Sequence, residues 1–268
     1  MEEEIKTILV TWAKTQFTRM KNYCFLLALL LLSFSQLSAQ TLNSAIKPID
    51  NRTAYQHSIT EAMSPDSSKI YTDLIQIDAD NENLTWKTVD GVDYILVVTW
   101  KGDASWYEKY LDSAYYPTGD FPIWVSTSPE LLKRMRSGKT KDVDMRLKQL
   151  IGLPPSSVYN YFVEFWVKPD DLIRPCPDSE ITDKQCELCF PAGADSTYMA
   201  WVNENRISRY YKCALDDKYP WTQLGYTYDW SPANPSHVGL SEFVIGVNKK
   251  ILINKIYTTA EYLAKEID

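Results

Sequence analysis

Histidine is nearly absent from this 268-residue chain, occurring only at His57 and His237. A histidine-rich metal centre is therefore excluded, and any histidine general base has to be one of those two residues. Basic residues are also in deficit: 28 Lys and Arg stand against 35 Asp and Glu, a formal net charge of -7. The chain lacks the basic patch with which proteins hold nucleic acid or anionic membrane surfaces. No apolar run reaches the roughly 20 residues that span a bilayer. The segment Gly239-Leu240-Ser241-Glu242-Phe243 has one glycine where the nucleophile elbow of a serine hydrolase needs two. There is no internal repeat, and no metal or cofactor is expected.

What is present begins with a secretory pattern. Lys21 supplies a positive start, Tyr23 to Leu32 with Phe34 an apolar stretch, and Leu37-Ser38-Ala39 a cleavage site. The expectation is a signal peptide over residues 20–39 preceded by a mis-assigned start over 1–19, a polar leader over 40–68 and one domain over 69–268. The mature protein is expected to be soluble and secreted or periplasmic. Cys24 would leave with the signal and no cysteine directly follows the cleavage site, so no lipid anchor is expected.

Four cysteines remain: Cys176, Cys186, Cys189 and Cys213. Only one C-x-x-C unit occurs, so the spacing does not repeat as in a four-thiolate zinc site. Pro191 and Gly193 mark a loop where a redox C-x-x-C would open a helix. Export favours oxidation, and the expected pairs are Cys176 with Cys186 and Cys189 with Cys213, each stapling a loop poor in apolar residues.

The pattern along the chain predicts an α+β fold with a mainly antiparallel sheet, a few helices and a disulfide-stapled loop in a single domain. Strands are predicted at 70–77, at 84–89 and 92–100 about an Asp90-Gly91 hairpin turn, at 121–126 and at 159–167. Ser128-Pro129-Glu130 reads as cap, first-turn proline and acid of a helix ending near Gly138, and a second helix is predicted over 141–151. Residues 198–212 fit a helix or two strands, with Asn203 to Asn205 tipping the reading towards strands. A hairpin about Asn248-Lys249 and a helix over 258–266 close the chain.

The chemistry concentrates at Tyr219 to Trp230, followed by His237 and Glu242: five aromatic rings, two carboxylates and a histidine within 24 residues. Aromatic faces beside polar side chains are what a sugar site uses, with rings on C–H surfaces and polar groups on hydroxyls. The first reading is thus a non-catalytic binding module for carbohydrate or another cell-envelope ligand, using an exposed face built from Trp221, Tyr226, Tyr228, Asp229, Trp230 and His237. A hydrolase or transferase using Asp229, His237 and Glu242 is the alternative. A structural protein binding an envelope partner through a flat apolar patch is the third.

Overall fold

Asp90 and Gly91 take φ of 51° and 77°, the left-handed pair that a two-residue hairpin turn needs. They join β1 (Trp86–Val89) to β2 (Val92–Lys101) with Val89 opposite Val92. The computed structural model describes residues 20, 49–138, 140–210 and 218–266, with only the backbone of Arg209 and Tyr210. The signal segment and Cys213 lie outside these. From Asp50 onward the chain is one unit. Its other elements are α1 (Asn51–Ala62), α2 (Ser105–Glu108), β3 (Tyr116–Pro117), β4 (Ile123–Thr127), α3 (Ser128–Ser137), α4 (Val143–Ile151), β5 (Tyr161–Val167), β6 (Leu172–Ile173), α5 (Ser196–Tyr210), β7 (Tyr226–Tyr228), β8 (Val238–Ser241), β9 (Phe243–Ile245), β10 (Lys250–Thr258) and α6 (Thr259–Ala264). Among the described residues no helix is long and apolar enough to cross a membrane.

Eight strands pair antiparallel in the order β3-β10-β5-β2-β4-β9-β6, with β1 added to β2; β7 and β8 form a small second sheet. The fold is α+β, as the sequence predicts. Only residues 246–249 join β9 to β10, which stand four strand spacings apart in this order. In a flat sheet that is about 19 Å, whereas five fully extended residue steps reach roughly 18 Å. Asn248 moreover turns the chain with φ 56°. The sheet must therefore curl. Its inner face buries Ile95, Val97, Val125, Val163, Phe165 and Phe243 with Tyr107 and Tyr116. Its outer face packs Val98, Trp100 and Phe162 under Leu131, Leu132, Leu147, Leu150 and Tyr262 of the helices. Covered on both sides, β5 is apolar throughout except for Glu164.

Several local readings are corrected. Residues 70–77 form no strand: Leu74 and Ile77 are buried, and their N–H groups donate to Lys184 and Ile181 in the cysteine loop. The stretch read as a leader contains α1, whose Tyr55, Ile59 and Ala62 recur at helical spacing and bury against Tyr228 and Trp230. Residues 196–210 are helical, because Asp195 accepts from the Tyr198 N–H at the first turn, Asn203 and Glu204 face outward, and the Asn205 amide donates to the Trp201 carbonyl. β9 and β10 flank a turn without pairing, since curling sends each to a different neighbour. Ser128 is not a cap: its hydroxyl donates to Glu164 at 2.5 Å and lies 2.8 Å from the Tyr262 hydroxyl. Glu164 is fully buried and also accepts from Asn254 and Lys265, at 2.8 and 2.7 Å. These three partners on three other segments offset the cost of desolvating that carboxylate.

Cys176 and Cys186 form a disulfide. Cys189 is exposed and joined to no described cysteine, and Cys213, its expected partner, lies outside the described residues. Beside the disulfide the fully buried Arg174 donates to the carbonyls of Glu180 and Asp183, at 2.9 and 2.8 Å, and lies over the Phe243 ring. The carboxylates of Asp178, Glu180 and Asp183 lie within 4.8 Å of one another; next to a buried guanidinium they serve as its counter-charge. Replacing both Cys176 and Cys186 with Ser is expected to lower the unfolding free energy by about 3 kcal/mol through lost loop closure. Cys189→Ser should change it by less than about 0.5 kcal/mol. Urea denaturation of the two variants checks both.

Candidate functional site

β2 and β4 pair only at Val97–Thr127 and Val98–Ser126. Beyond that they part: Thr99 to Lys101 stay on β5, while Ile123 to Val125 stay on β9. The opening holds a cleft of about 350 Å³, lined by Thr99, Trp100 and Lys101 from β2, by Trp124, Val125 and Ser126 from β4, and by Tyr159, Tyr219, Pro220, Trp221, Thr227, Tyr228 and Glu242. It is the place where ladder, helices and aromatic segment fail to close on one another.

The rings around the cleft are fixed from behind. Trp100 donates its indole N–H to the Thr259 hydroxyl at 2.9 Å and stacks between Tyr159 and Phe162 at 5.2 and 5.6 Å. Trp221 donates to the Pro175 carbonyl at 3.1 Å and meets Trp124 edge-on at 6.0 Å, and Trp124 stacks on Trp201. With their N–H groups engaged and little of either ring exposed, Trp100 and Trp221 form the backing of the cleft wall. Burial, with Tyr219 beside it, pushes the Tyr159 phenol up to about 12, so at neutral pH it is an uncharged hydroxyl.

The site residues predicted from sequence are divided by this geometry. Trp221 and Tyr228 line the cleft. Tyr226 instead packs beside the disulfide and donates to the Lys69 carbonyl, and Trp230 packs edge-on against Tyr55 with its N–H shared by the Lys148 and Leu153 carbonyls. The expected exposed aromatic face is absent: Trp221, Tyr226, Tyr228 and Trp230 are 4%, 4%, 5% and 2% exposed. Each ring satisfies its polar atom or its faces internally, and that makes core of it.

Asp229 is fully buried and accepts both arms of the Arg146 guanidinium at 2.7 Å, plus the Ser231 N–H and the Asn234 amide. His237 has φ 54°, stacks on Tyr228 and places Nδ1 2.9 Å from the Asp229 backbone carbonyl, away from the carboxylate. Glu242 is in the cleft. Asp229, His237 and Glu242 are thus not assembled as acid, base and nucleophile. Ser241 is buried, its hydroxyl held between the Ile75 N–H at 2.8 Å and Glu130 at 3.2 Å. Burial pushes Glu130 up to about 7 despite these bonds.

Trp100, Lys101, Trp124 and Tyr159 escape sequence reasoning. They come from segments far from the aromatic cluster, and no motif joins them. No protein-family model matches the chain, and neither a curated protein nor a solved structure does.

Two outcomes separate support from chemistry here. Asp229→Asn removes one charge of a buried pair and is expected to cost about 3 kcal/mol of stability in chemical denaturation. Glu130 has a folded pKa above its ordinary 4.5, so between those values the folded state binds the extra proton and stability falls as pH rises from 4.5 towards 7. Melting temperatures across that window should fall in the wild type and be flatter in Glu130→Gln.

Proposed function

We propose that this protein is a non-catalytic binding module that seats a carbohydrate in the cleft between β2 and β4. The observation that carries this reading is the pairing of immobilised aromatic surface with scattered polar groups in one opening of about 350 Å³. The half-buried Trp124 and the exposed Tyr219 suit the C–H faces of a pyranose, and the Ser126 and Glu242 side chains suit its hydroxyls. Trp124, held against Trp201 and Trp221, loses little freedom on binding, which favours affinity. The catalytic alternative is weakened because Asp229 and His237 are committed to other bonds. A disulfide in the cysteine loop accords with an exported protein acting outside the cytosol.

The test is titration with cellotetraose, chitotetraose and maltotetraose, followed by tryptophan fluorescence. At least one should shift the emission and saturate with Kd of about 1 mM or tighter. Tyr219→Ala and Trp124→Ala should each weaken that binding about 3- to 10-fold, the worth of one aromatic contact. Failure of all three sugars, with folded protein, overturns the proposal.

A further inference from the structure

Along an extended strand the main-chain N–H and C=O of successive residues turn to alternate edges. In β2 the Leu96 N–H donates to the Thr85 carbonyl on the β1 side at 2.9 Å, and the Lys101 carbonyl accepts from the Asn160 N–H on the β5 side at 2.9 Å. Even-numbered residues of β2 therefore turn their main-chain groups away from β5, and odd-numbered ones towards it. The ladder to β4 runs along the even-numbered edge and ends at Val98–Ser126. Its next rung would join Trp100 to Trp124, and there the strands part.

The Trp100 N–H and C=O thus face the opening between β2 and β4. Among the described residues neither has a hydrogen-bond partner, and the bond Trp100 does make across the fold is from its indole N–H to Thr259. Trp100 is 6% exposed and lines the cleft. Buried main-chain donors and acceptors are almost always paired, because an orphaned one forfeits its bonds to water. A donor and an acceptor side by side on one residue call for a ligand that presents an acceptor and a donor side by side. Beside them the half-buried Ile151 and Leu153 give the cleft an apolar wall.

We propose that the sugar seated in this cleft is an N-acetylated amino sugar, whose acetamido N–H donates to the Trp100 carbonyl while the neighbouring ring hydroxyl accepts from the Trp100 N–H. This rests on the reading of the cleft as a sugar site. The acetamido group and the hydroxyl beside it repeat the donor and acceptor that an adjoining strand would supply at this rung. A plain diol can meet the same two main-chain groups, but it offers only hydroxyl to the wall of Ile151 and Leu153. The acetyl methyl suits that wall, since apolar surface gains by leaving water.

The experiment titrates chitotetraose, its fully deacetylated form and cellotetraose, which differ only in the group on the second ring carbon. Chitotetraose should bind about tenfold more tightly than either of the others. Amide hydrogen exchange supplies the readout at the strand. In the free protein the Trp100 amide should exchange faster than those of Thr99 and Lys101, which face β5, and chitotetraose should slow it by about tenfold or more. Either of the other two, or maltotetraose, binding as well as chitotetraose would overturn the inference and leave the sugar site standing. So would a Trp100 amide that is as protected as its neighbours in the free protein, or one that chitotetraose leaves unchanged while it binds. No binding by any of the four sugars would overturn both readings.

Discussion

The four-residue link between β9 and β10 is the constraint from which the rest of the architecture follows. Because so short a connection cannot bridge four strand spacings of a flat sheet, the sheet curls and gains a closed inner core as well as an outer face for helices. Curling also makes neighbouring strands choose partners. β2 stays with the long strand β5 and β4 stays with β9, so their own pairing shrinks to two residue pairs. The cleft is the space left by that choice.

Buried charge is used to tie this curled sheet to what surrounds it. Glu164 links β5 to the start of α3, to β10 and to the end of the chain after α6. Asp229 and Arg146 link the aromatic segment to α4, and Arg174 organises the cysteine loop through backbone carbonyls. Glu164 and Asp229 are each satisfied by several hydrogen bonds, the condition under which a desolvated charge is tolerated.

The aromatic segment 219–230 illustrates how composition can mislead about role. Its rings were expected on a surface, yet Trp230 joins α1 to α4 and Tyr226 seals the disulfide cluster, while Tyr219, Trp221 and Tyr228 line the cleft. A tryptophan whose N–H has a buried carbonyl partner is as much core as a leucine. The closeness of the packing shows at Gly225 (φ 75°), where a Cβ would stand 2.6 Å from the Cys186 sulfur.

The sequence by itself determined the α+β class, the Asp90-Gly91 hairpin and the helices beginning near Ser128, Lys141 and Thr258, because turn and cap chemistry acts within about four residues. It also pointed to Cys176–Cys186, a bridge closing a short loop. Tertiary structure alone decided that residues 70–77 bond to a loop and not to a sheet, that β9 and β10 part company, and that Asp229 belongs to Arg146. It alone assembled the cleft, whose walls come from residues 98–101, 122–126, 159 and 219–228. Those positions share no local signal, and they meet only because a short link bends the sheet until two adjacent strands separate.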